Sequence, residues 1–203
     1  MFGLFKEKVK KFDYGTILAA NASQYIEESS IAIDKLFKTC PLEGRSTPDI
    51  STDINAILII QLISLIAVGE LSFYAMDKSN ISTYEIRNGF LMHIEKLKGE
   101  LEQKHSMVLD VNCTKASSEL ASLICNNKFV KDTGRFYNGN GFSSDDVYGI
   151  ITLFTLNSLK LGEANISKYV GRREVQQGAI RYISSIDKSV RYVKEMYSSY
   201  KLV

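Results

Sequence analysis

Arg87 and His93 are the two side chains whose types and spacing best fit a reaction. They lie in the stretch Tyr84-Glu85-Ile86-Arg87-Asn88-Gly89-Phe90-Leu91-Met92-His93. A guanidinium can hold the charge that builds on a phosphorane. An imidazole can give or take a proton near neutral pH. On a regular helix six residues of separation turn the two side chains roughly 120° apart, so one helix face does not carry both.

Other arrangements supply less. Glu102-x-x-His105 has the spacing of a di-iron bundle ligand pair, but that site needs a second such pair. The other histidine is His93, and Phe90 stands where its glutamate would be. Cys40, Cys113 and Cys125 are odd in number and show no C-x-x-C spacing, which argues against a zinc site and a disulfide scaffold. They are expected to be reduced thiols of a cytoplasmic protein. Residues 134–141 are glycine-rich and precede Ser143-Ser144-Asp145-Asp146, but they lack the G-x-x-x-x-G-K-[S/T] pattern of a phosphate cradle. No G-x-S-x-G elbow anchors a serine nucleophile. No metal and no cofactor are expected.

The Arg87-Asn88…His93 stretch resembles the R-x(4–6)-H motif of HEPN-domain ribonucleases, in which the arginine is often followed by asparagine. That family consists of helical bundles whose Arg and His from two protomers meet at a dimer cleft and cut RNA. The resemblance implies a metal-independent ribonuclease acting through Arg87, Asn88 and His93.

Charge is segregated along the chain. Of a net +2, residues 1–12 carry +3, residues 165–203 carry +5, and the segment between them carries −6. Lys6, Lys8, Lys10 and Lys11 at one end, with Arg172, Arg173, Arg181 and Arg191 at the other, are the candidate binding residues for an anionic surface. In the last segment these bases interleave with Tyr169, Tyr182 and Tyr192, a pattern that nucleic acid can use. Phe2, Phe5, Val9 and Phe12 recur at helical spacing opposite the lysines. Residues 1–12 are therefore predicted to form a short basic amphipathic helix, an appendage that packs on its own fold or rests on a membrane surface.

The elements that must position these groups are helices. Two prolines in 203 residues favour long uninterrupted ones. The periodicity predicts a first helix over 15–39, with Leu18, Ala22, Tyr25, Ser29, Ile33, Leu36 and Cys40 inward, stopped by Pro41. The apolar run from Ile54 to Met76 predicts a central helix over about 52–76, capped by Ser51 or Thr52. Asp53, Gln61, Ser64 and Ser72 fall on one narrow stripe of it, as in a bundle helix covered on most sides. Eleven residues between Ala56 and Tyr74 are Leu, Ile, Val or Phe, but Glu70 offsets them on an insertion scale. A buried core helix is expected in place of a membrane span, with Glu70 paired to a Lys, Arg or Tyr.

Ser82-Thr83-Tyr84-Glu85 has capping-box spacing and predicts the start of a third helix with Phe90, Ile94, Leu97 and Leu101 inward. A fourth is expected over 114–130, a loop over 131–142 and a fifth helix over 143–161. The last, over 165–200, places Ala179, Ile183, Ile186, Val190, Val193, Tyr197 and Tyr200 on one seam. No strand-period alternation of useful length is present. The fold class is an all-α, single-domain bundle of about six helices spanning 1–203. The expected role is a non-catalytic protein–protein interaction module: an adaptor, or a regulatory or neutralising partner of another protein. Nucleic acid and a membrane surface, the latter through Met1–Phe12, are the alternative partners.

Overall fold

The apolar run folds into α2, Ile54–Lys78, the helix around which the rest is built. A computed structural model of the chain describes residues 6–23, 31–32, 53–126, 151, 154–155, 182, 186, 188–193, 195–196 and 199–203. The fold is mostly helical, as the periodicity predicted. The cap of α2 is Asp53, whose carboxylate accepts from the Ala56 N–H at 3.1 Å, where Ser51 or Thr52 had been expected. The helix is long and apolar enough to cross a membrane, yet 83% of its most apolar window is buried inside the fold.

The polar stripe of α2 is divided: Asp53 is exposed and Gln61 half-buried, while the two serines face inward. Ser64 and Ser72 are buried and return their hydroxyls to the carbonyls of Ile60 and Val68, at 2.6 and 2.7 Å. A serine that satisfies itself on the preceding turn can sit in an apolar core without an orphaned donor. Ser64 Oγ also lies 3.1 Å from the Tyr182 hydroxyl, which Thr155 Oγ1 meets at 2.8 Å. Tyr182 was read as one of the aromatics interleaved with the basic residues of the last segment, a pattern that needs it exposed. It is fully buried instead, because two hydroxyls inside the bundle satisfy its own.

α2 ends in a turn with Asn80 at φ 59°. Thr83 Oγ1 donates to both carboxylate oxygens of Asp77, at 2.8 and 3.0 Å, and fastens that turn. α3, Tyr84–His105, starts where the capping-box spacing predicted. Its N-cap is Thr83, whose hydroxyl serves Asp77, so Ser82 and Glu85 do not stand at the N-cap and N3 positions and the box itself does not form. Ile86, Gly89, Phe90 and Ile94 of α3 are buried, while Leu97 and Leu101 are half-buried. Residues 107–112 fold back on α3: Lys98 Nζ donates to the Val111 carbonyl at 2.7 Å, and Glu102 accepts from the Leu109 N–H at 2.8 Å. Asn112 then caps α4, Cys113–Asn126, by accepting from the Lys115 N–H at 2.9 Å. Cys113, Ala116, Ser117, Leu120 and Ile124 form its inner face.

α1, Lys11–Ala22, begins four residues before the predicted start. Its Leu18 and Ala22 are buried as expected, while the proposed inner positions Tyr25, Ser29, Ile33, Leu36 and Cys40 lie outside the described residues. α1 lies on α3 so closely that Gly15 and Gly89 touch the opposing backbones.

Two corrections concern the ends. Glu7–Val9 is a strand, β1, in place of the predicted amphipathic helix over 1–12. Tyr200–Leu202 is a strand, β2, starting at the residue where the last helix was expected to end. They pair in parallel, Glu7 with Tyr200, Lys8 with Lys201 and Val9 with Leu202. Three residues are too few for alternation to show in a sequence, and the partner is nearly the whole chain away. The ring of Tyr200, in β2, packs edge to face on that of Tyr14 of α1 at 5.8 Å.

Gly99 tests the reading of α3. It sits exposed within the helix, and a methyl group there would meet nothing within 4 Å. Gly99→Ala is expected to stabilise the fold by about 0.5–1 kcal/mol, since it removes backbone freedom from the unfolded chain. A urea midpoint that moves down would show that the residue is not on an open helix face.

Candidate functional site

Glu70 is the one acidic residue among the buried side chains described, and three helices converge on it. α2 places it one turn before the Tyr74–Asp77 end of the helix. α3 brings Arg87, whose Nη2 donates to Glu70 Oε2 at 2.8 Å and whose Nε donates to Oε1 at 3.3 Å. α4 brings Ser117, whose hydroxyl donates to Oε1. The Arg87 guanidinium also lies over the Phe73 ring, 5.0 Å from its centroid.

Burial pushes the Glu70 carboxyl above the ordinary carboxylate range. Arg87 and Ser117 pull it back only in part. The expected partner for Glu70 near the helix end is therefore found, and it is Arg87. A cavity of about 260 Å³ opens beside the pair, lined also by Tyr74, Lys78, Ile124 and Cys125. Three donors occupy the carboxylate, so it is held as an anchor and not left open to take a proton from a ligand.

The structure does not bring Arg87 and His93 together on one surface. Arg87 is drawn inward to Glu70. His93 is half-buried further along α3, with no hydrogen bond or ion pair among the described residues. Asn88, between them, is exposed. Among the described residues no group of three His, Cys, Asp or Glu side chains is placed to hold a metal ion. Glu102 is engaged by the Leu109 N–H. Cys113 is buried, and its thiol is pushed up to about 12, chiefly by that burial. Cys125 is exposed.

The basic residues divide. Lys6, Lys8 and Lys10 are exposed around β1, and Lys11 is half-buried at the start of α1. Lys6 and Lys11 line a second cavity of about 420 Å³, which Lys201 of β2 joins. Lys201 was not singled out from the sequence, because only the parallel pairing of the two chain ends places it there. Arg191 is exposed on the last helix. Arg172, Arg173 and Arg181 lie outside the described residues. Ser117 was also missed: a lone serine on an otherwise apolar face gives no sign of the carboxylate it will meet.

Comparison with protein-family models, with curated proteins and with solved structures finds no match for this chain.

Proposed function

We propose that the chain is a non-catalytic helical protein–protein interaction module that works in the cytoplasm as an adaptor or as a regulatory or neutralising partner. The observation that carries this reading is the outer face of α3. Tyr84 and Met92 are 73% and 55% exposed, with exposed Asn88 between them. Residues at i, i+4 and i+8 stand one above the other on a helix. Tyrosine and methionine are enriched at protein interfaces, and a tyrosine often carries much of the binding energy. A helix presenting anchors at this spacing suits an apolar groove on another folded protein.

The alternative chemistry has less behind it. The guanidinium that an Arg–His ribonuclease would aim at RNA is spent on Glu70. Surface attachment through Met1–Phe12 would need an amphipathic helix where β1 pairs with β2.

The test is capture of a stoichiometric partner on the immobilised chain, compared with Tyr84→Ala and Met92→Ala. Tyr84→Ala is expected to weaken capture by roughly 30-fold, the scale of an interface hot spot. Equal capture by both variants would sink the reading. Co-purified RNA that the chain cuts, with cutting abolished in His93→Ala, would replace it with the ribonuclease.

A further inference from the structure

The two basic chain ends meet in a single cavity, and that cavity has no carboxylate in it. Lys6, Lys11 and Lys201 line it, together with the polar side chains of Asn80, Ser82 and Tyr200. Three stretches far apart in sequence supply it: the segment around β1 and the start of α1, the α2–α3 turn, and β2. Among the described residues none of the three lysines makes an ion pair or a hydrogen bond. The nearby turn acid, Asp77, is occupied by Thr83.

The ladder adds a second observation. Lys8 and Lys201 are register partners across the parallel pair. Like charges set side by side on neighbouring strands repel and cost stability. Period-two alternation puts Lys6 and Lys8 on the same face of β1. The fold therefore gathers four ammonium groups about one short ladder, whose own acid, Glu7, alternates to the other face of β1.

We propose that this cavity binds a compact phosphate-bearing anion, a phosphomonoester or short polyphosphate. Three ammonium donors and the neighbouring hydroxyl and amide groups match the charge and the many acceptor oxygens of such a group. A volume of about 420 Å³ admits a ligand of that size. An anion held by Lys201 would offset part of the repulsion between it and Lys8. This inference is independent of the α3 docking face.

Calorimetric titration of the full chain with inorganic pyrophosphate at low salt is the test. Saturable binding is expected. Lys6→Gln, Lys11→Gln and Lys201→Gln should each weaken it about tenfold, the scale of one charge-assisted contact. Lys96→Gln, on the exposed side of α3, should leave it unchanged. Thermal melts would report whether each variant is folded, and pyrophosphate should raise the melting temperature of the wild type but not that of the triple variant. Vesicles of phosphatidylcholine with and without phosphatidylinositol bisphosphate separate the two sources. Retention on the inositide vesicles, lost in the same variants, assigns a lipid headgroup. Pyrophosphate binding without retention assigns a free phosphate ligand. Absence of saturable binding to either probe, or equal weakening by Lys96→Gln, overturns the proposal.

Discussion

Arg87→Ala is expected to destabilise the fold by about 3 kcal/mol near pH 8, and by much less near pH 5. The substitution leaves the Glu70 carboxylate buried with Ser117 as its remaining donor. An uncompensated buried charge is among the most costly defects a core can hold. The lower end of the range applies because Arg87 itself is 32% exposed and keeps some contact with water.

The pH dependence follows from the direction in which Glu70 is shifted. Its folded-state pKa lies above the ordinary value of 4.5, so between the two values the folded state binds more protons than the unfolded one. Its contribution to stability is present in full below the ordinary value and is lost as pH rises through the folded value. Removing Arg87 takes away the largest influence that lowers that pKa, so the slope should steepen. Glu70→Gln should flatten it. Urea midpoints of the three proteins at about pH 5 and pH 8 decide the matter. A loss in Arg87→Ala that is the same at both pH values would show that the carboxylate is not what the arginine compensates. Replacing both partners with Met should recover most of the single-variant loss, since the pair joins α2 to α3 without being intrinsically strong. An arginine kept for RNA would behave otherwise, with activity lost and stability spared.

The contrast between Glu70 and Arg87 shows where a sequence can be read and where it cannot. Glu70 interrupts an apolar run, so its need for a partner was visible from composition alone. Which partner it takes depends on how the turn at Asn80 folds α3 back along α2, and nothing local encodes that. The apolar helix was placed within two residues at either end, because twenty-five residues of mean high hydropathy leave little choice of period. Its polar stripe of Asp53, Gln61, Ser64 and Ser72 was read as one side of a helix covered on the others, yet the two serines are buried too. Hydroxyls that bond back to their own helix are indistinguishable in sequence from hydroxyls that face water. The strands at the two ends were missed for a related reason. Their pairing is a property of the assembled bundle, which brings Val9 beside Leu202, and three-residue segments carry no periodic signal of it. The same pairing explains why the basic residues were recognised at both ends but not as one cluster.

The crossing of α1 and α3 makes the second large prediction, and it turns on two glycines whose roles no pattern revealed. A Cβ on Gly15 would overlap the Ile86 carbonyl oxygen and stand 2.8 Å from the Phe90 nitrogen. A Cβ on Gly89 would overlap the Phe12 carbonyl oxygen and stand 2.9 Å from its carbon. All of these obstacles are backbone, and none can rotate away. Either alanine must push the helices apart, which strips packing from Phe90 and its edge-to-face partner Phe73, 5.2 Å away. Each substitution is expected to cost about 3 kcal/mol or more, at the upper end for overpacked cores and well beyond the roughly 1 kcal/mol that alanine gains over glycine in a helix. The double variant should cost less than the sum, because one separation of the helices relieves both clashes. Gly99→Ala makes the same chemical change on the same helix with the opposite expected sign, so a propensity effect cannot mimic the result. A Gly89→Ala midpoint equal to the wild type would refute the close crossing. The loss should also reach the basic cavity: α1 carries Lys11 and follows directly on β1, so a loosened crossing should weaken pyrophosphate binding even where the chain remains folded.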